Sequence, residues 1–153
     1  MNSPLLRRSR TRAATTLLCV ATLLPSARAT PDADYAERVW ASVNAYRSSQ
    51  GLEPLLPSPA LTALAAEHSA AMASQRRPSH DGFAGRFERA GESSLCVENV
   101  AQGFRNPEQV ILGWRKVSTH HRNLLETRVR YAGIVSDGLF VTYFACDLTG
   151  AER

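Results

Sequence analysis

The sequence predicts an α+β fold, and three observations carry that prediction. Helical spacing with start and stop signals fills the chain from about residue 34 to residue 77. A further helix start stands at Asn106-Pro107-Glu108. The chain then closes on two runs rich in Val, Ile, Phe, Tyr and Thr, split by Ser136-Asp137-Gly138, which is a hairpin signal. Helices lead and a hairpin ends the chain, which is the α+β order. The 153 residues suffice for one domain with a core, and no internal repeat, low-complexity tract or second-domain boundary interrupts them.

The first 29 residues read as a secretory signal peptide. Arg7 to Arg12 form a basic stretch, and Ala13 to Leu24 an apolar one too short to span a bilayer. Pro25 breaks the helix, and Ala27-Arg28-Ala29 fits a small-x-small cleavage site, so residues 30–153 form the expected mature domain. The formal charge of +4 belongs to this leader. Five of the eighteen basic residues lie in it and no Asp or Glu does, leaving thirteen basic against fourteen acidic residues, a net charge of −1. The body therefore carries no nucleic-acid footprint. It also contains no stretch expected to span a membrane once the leader is removed, and a secreted or periplasmic location follows. Cys19 departs with the leader. The two remaining cysteines, Cys96 and Cys146, form an even pair in an exported chain and are expected to be disulfide-bonded.

Asp34 is the expected N-cap of the first helix, with Tyr35, Val39, Trp40, Val43 and Tyr46 at helical spacing and Gly51 as its stop. Prolines 54 and 57 extend the linker that follows. Ser58 caps the second helix, with Pro59 at its first position. Leu61, Leu64, Ala65, His68 and Met72 share one face, and seven alanines favour helix and close packing. Arg76-Arg77-Pro78 ends it. Residues 79–107 read as the least regular region, with a short helix near Gly85 to Arg89. Val110, Ile111 and Trp114 supply the apolar stripe of the helix that starts at Asn106.

Three segments outside these patterns carry candidate chemistry. They are Ser79-His80-Asp81-Gly82-Phe83, Cys96-Val97-Glu98-Asn99-Val100-Ala101, and the run from Trp114 to His120-His121-Arg122-Asn123-Leu124-Leu125. Two imidazoles and a carboxylate converging on one cleft can bind a divalent cation or move protons. His80 sits in a turn, either as a functional group or as a solvated loop residue. Glu98 lies among apolar neighbours and needs a partner if buried, whether its role is structural or functional. His120 and His121 are adjacent and cannot share a helix face, so at most one points into a given site. His68, on an apolar stripe, reads as a core histidine buried against the first helix. HExxH, CxxC, GxSxG, P-loop and dinucleotide-binding motifs are absent, which removes support for serine-hydrolase and nucleotide-dependent chemistry. Cys96 as a nucleophile with a histidine base competes with the disulfide for the same sulfur.

In this order the segments resemble the CAP superfamily of cysteine-rich secretory proteins, venom antigens and plant pathogenesis-related proteins, most closely its short secreted bacterial members. The resemblance runs from about Val39 to Phe144. Asn44-Ala45-Tyr46-Arg47 with Gly51-Leu52-Glu53-Pro54-Leu55 matches the opening helix and turn, and Leu61, Ala65, His68 and Met72 match the second helix. The resemblance implies an α-β-α sandwich, a small antiparallel sheet between helical layers. It also implies a cleft built from His80, Glu98 and His120, in which His80 and His120 face each other and hold a divalent cation such as Zn²⁺. His120 is matched in preference to His121 because it lies six residues after Trp114 and three before Asn123. A second acid common in the family falls at Val117 here, so the site is less negative and cation binding is expected to be weak.

Three functions follow as expectations. The first is binding, without turnover, of a divalent cation, a lipid or sterol, or another extracellular ligand. The second is metal-assisted hydrolysis with Glu98 as general base. The third is an interaction module with an inert cleft.

Overall fold

The computed structural model describes residues 31–148. The predicted leader, its cleavage site and the last five residues lie outside the described residues. Five helices and four strands follow in the order α1 (Pro31–Ser49), β1 (Leu56–Pro57), α2 (Pro59–Gln75), α3 (Phe83–Arg89), β2 (Cys96–Gln102), α4 (Pro107–Arg115), α5 (Ser118–Leu124), β3 (Tyr131–Asp137) and β4 (Phe140–Cys146).

Local chemistry sets most of these boundaries. Helix α1 begins before the expected cap: Asp32 and Asp34 both lie in its first turn, where carboxylates suit the positive end of the helix dipole. Its end is a Schellman turn, in which Leu52 N–H reaches Arg47 O and Gly51 N–H reaches Ser48 O, with Gly51 at φ 76°. The Ser58 hydroxyl accepts from Leu61 N–H and Pro59 opens α2, as the sequence predicts. Asn106 caps α4 by accepting from Glu108 N–H.

The sheet has the order β1-β3-β4-β2. Its three long strands pair antiparallel, and β1 adds a two-residue parallel edge through Leu56 and Pro57. The hairpin turn is Gly138-Leu139, one step later than the sequence suggests, because Ser136 and Asp137 still pair within β3. Alternation sorts β4 between two cores. Val141, Tyr143 and Ala145 join α1, α4 and α5 on one face. Phe144 and Cys146 join Leu61, Leu64 and Ala65 of α2 and the phenyl rings of α3 on the other. The result is the α-β-α sandwich, with apolar burial on both faces as its main stabilisation.

Helix α2 lies so close to the sheet that only glycine fits beneath its first turn. A Cβ built on Gly133 would overlap backbone atoms of Leu61 and Thr62, and backbone cannot rotate aside. Gly133→Ala is expected to cost about 1–3 kcal/mol as the helix is forced off the sheet. Urea unfolding measures it, and an unchanged midpoint would contradict the close approach.

The main departure from the sequence reading is β2. The segment around Glu98 is a strand, not a loop. Cys96 packs in the α2–α3 core and Glu98 reaches Arg86 of α3 and His68 of α2, while Val97 and Ala101 pack with the opposite helices and Asn99 bonds to α5. The adjacent polar pair Glu98-Asn99 hides this alternation in the sequence. Both side chains are nonetheless buried, each on its own face with its own partners.

Candidate functional site: a histidine cleft on the β2 edge

Strand β2 is an edge strand, and its outward carbonyls are sealed by side chains. Cys96 and Cys146 are directly opposed with Cα atoms 4.1 Å apart, the spacing of a pair that is not hydrogen-bonded. The even-numbered residues of β2 therefore turn their backbone groups away from β4. Trp114 Nε1 donates to Val100 O at 2.9 Å, and Asn123 Nδ2 donates to Glu98 O at 2.9 Å. Asn123 Nδ2 also reaches Asn99 Oδ1, and Asn99 Nδ2 donates to His120 O at 2.9 Å. Capping in this way protects an exposed edge from pairing with other chains. It also fastens α5, and with it His120, beside the strand.

Glu98 is the centre of the site. Its side chain is 1% exposed. Arg86 of α3 grips it as a fork, with Nε 2.8 Å from Oε2 and Nη2 2.9 Å from Oε1. His80 Nδ1 lies 2.9 Å from Oε1, and His68 Nε2 lies 3.8 Å from the same oxygen. A carboxylate so buried needs these partners, since an unpaired buried charge is expensive. Arg86 is itself positioned by Nη1 donating to Asp81 O at 2.8 Å. The turn before it uses Gly82 at φ 73°, a conformation that favours glycine.

The histidines divide as their positions dictate. His80, on the loop between α2 and α3, remains half-exposed and spends Nδ1 on Glu98, which leaves Nε2 free. His120 faces it across the cleft, with ring centroids 6.0 Å apart. Burial, and then the His80 charge, push His120 below the ordinary imidazole value of 6.5. His121 turns the other way, and its Nε2 lies 2.7 Å from the Tyr46 hydroxyl. His68 is buried as expected, but it faces Glu98 and the Ser79 carbonyl (Nε2 to O, 2.7 Å) instead of packing against α1. The reason is that α2 and α1 lie on opposite faces of the sheet. Burial is the main cause that lowers its pKa; the Ser79 carbonyl and Glu98 oppose that shift.

Between the two histidines opens a cavity of about 480 Å³, whose lining includes the apolar side chains of Val100, Phe104, Trp114 and Val117. Val117, where a second acid was sought, is thus an apolar wall at the start of α5. Among the described residues no group of three or more His, Cys, Asp or Glu is placed to hold a metal ion. His80 and His120 are thus a facing pair and not part of a larger cluster of such ligands among the described residues. The Glu98–His80 contact supplies the carboxylate support that metal-binding imidazoles commonly have. Sequence reasoning singled out His80, Glu98 and His120, and the fold brings all three together. It missed Arg86, because nothing local links a short-helix arginine to a carboxylate twelve residues on.

A small α-β-α domain with a histidine-flanked cleft on a sealed sheet edge defines the class. Residues 40–147 match the sequence model of the cysteine-rich secretory protein (CAP) family, and the chain belongs to it. It is similar to the uncharacterized protein YkwD of Bacillus subtilis, at 26% identity over 106 residues, which covers 65% of this chain and 41% of the relative. In fold it is similar to an extracellular protein containing an SCP domain from Bacillus anthracis, with TM-score 0.71, 23% identity, and coverage of 80% of this chain and 45% of that one. It is also similar to an outer surface protein of Borrelia burgdorferi, with TM-score 0.68, 17% identity, and coverage of 76% and 94%. The matched region thus spans under half the length of the two Bacillus proteins.

Proposed function

We propose that this chain is an extracellular binding domain. Its cleft takes a ligand with an apolar body and a polar head, and a divalent cation binds weakly and reversibly at His80 and His120. One observation carries the reading: Glu98 is fully committed to Arg86 and His80. A general base must accept a proton from water or substrate, and both Glu98 oxygens already accept from a buried guanidinium. That argues against the hydrolase reading. The apolar cavity wall and the two imidazoles suit a lipid- or sterol-like molecule, or another extracellular amphiphile, whose head contacts the histidines. Two features support an extracellular or periplasmic setting: the Cys96–Cys146 disulfide and the likeness to surface and extracellular proteins. Among the described residues no helix is long and apolar enough to cross a membrane.

Titration calorimetry with Zn²⁺ is the test. Binding is expected in the micromolar range or weaker, as befits about two protein ligands, and it should vanish in His80→Ala/His120→Ala. It should weaken as pH falls, because a protonated imidazole cannot ligate. Since His120 protonates below the ordinary 6.5, it remains a ligand to lower pH than a solvated histidine would. Full Zn²⁺ affinity in the double variant would sink the cation reading. Hydrolytic turnover lost in Glu98→Gln would sink the binding reading.

A further inference from the structure

The second unusual charge in the molecule is Arg47, near the C-terminal end of α1 and remote from the cleft. It is 2% exposed. A guanidinium has five N–H donors. Three are used on carbonyls: Nε on Glu53 O at 3.1 Å, and Nη1 on Leu124 O at 2.9 Å and on Glu126 O at 3.0 Å. Asn44 completes the clamp by pairing with both backbone groups of Leu55. These contacts explain why the Asn44-to-Arg47 segment ties the first helix to the loop after it and to the end of α5. Among the described residues Nη2, with two donors, has no hydrogen-bond partner, and because no buried side-chain nitrogen or oxygen lacks one, Nη2 must reach solvent. Among the described residues no carboxylate lies in salt-bridge reach of the cation. The carboxylate that acts on its charge is Glu126, and it is already held by Arg128 at 2.9 Å, which keeps Glu126 down at about 2.

Arg47 forms part of the wall of a cavity of about 230 Å³ between the end of α1 and the start of β3. Thr127 and Arg130 line the same cavity. Arg130 is fixed there because its backbone bonds to Cys146 on one side and Leu56 on the other. The cavity shares no lining residue with the histidine cleft. A buried cation hydrogen-bonded only to carbonyls and drawn only at longer range to Glu126, with two donors left over beside a small cavity and a second cation at its wall, is the chemistry of an anion site.

We propose that Arg47, Arg130 and Thr127 form a site for a small oxyanion, a carboxylate or a phosphate. The planar Nη2 donors face the ligand, Arg130 closes over it, and the Thr127 hydroxyl adds a neutral bond. Glu53, which also lines the cavity, opposes the anion and limits affinity.

Thermal unfolding of the folded domain is followed against rising inorganic phosphate, acetate and chloride at constant ionic strength. Saturable stabilisation by phosphate or acetate, and none by chloride, is expected, and the stronger of the two identifies the source. Because Arg47 variants risk unfolding, exposed positions carry the test. Arg130→Gln should weaken binding about tenfold, and Glu53→Gln should tighten it. His80→Ala/His120→Ala should leave it unchanged, which separates this site from the cleft. No saturable shift with either oxyanion, or equal affinity in Arg130→Gln, overturns the proposal.

Discussion

Replacing Arg86 with methionine is expected to destabilise the domain by about 3–5 kcal/mol, the cost of leaving a buried carboxylate without its counter-ion. The side chains of Arg86 and Glu98 are 8% and 1% exposed, so water cannot take over the lost bonds. The one side-chain hydrogen bond then left to the carboxylate is that of His80, with His68 3.8 Å away. Its cleft-facing nitrogen is held only through that contact, so the variant should also lose cation affinity. The double change Arg86→Met/Glu98→Leu removes both charges and should recover most of the stability, since an apolar pair of similar volume often matches a buried ion pair. Urea unfolding of the three proteins decides it. A loss below about 1 kcal/mol in Arg86→Met would mean that Glu98 does not depend on Arg86 as its counter-ion.

The second large effect is expected at the disulfide. Cys96 and Cys146 face each other across β2 and β4 and close 50 residues of chain. In the chain-entropy account that closure stabilises by about 4 kcal/mol. The bridge also anchors β2 two residues before Glu98, and Asp147 adds to the anchor. Its Oδ1 accepts from the Ser93 hydroxyl at 2.6 Å and from Ser94 N–H at 3.0 Å. Cys96→Ala/Cys146→Ala should therefore unfold at lower guanidinium and exchange the amide hydrogens of β2 faster. An unchanged midpoint would show that pairing with β4 holds the strand without the bond.

Much of the site was legible in residue types and order. Polar groups amid apolar neighbours, at Glu98 and on the stripe at His68, signal partners that burial demands. The identities of those partners were not legible. His68 was expected against the first helix, yet a stripe on a helix states only that one face is covered, not by which layer. Val117 was sought as an acid and proved to be a cavity wall, a role set by where α5 begins.

The sequence by itself determined the helices with strong caps, the closing hairpin, the pairing of two cysteines and the candidate trio His80, Glu98 and His120. The caps, the hairpin and the cysteine pair depend on local rules: a hydroxyl before a proline, a glycine that ends a turn, an even thiol count after a predicted leader; the trio came from the resemblance to the CAP superfamily. Only the tertiary structure decided that residues 96–102 form an edge strand and that Trp114 and Asn123 seal its carbonyls. It alone placed Arg86 on Glu98 and left Arg47 buried beside a cavity. These outcomes join residues far apart in the chain. Their energies come from burial and charge pairing, which exist only once the two helical layers close on the sheet.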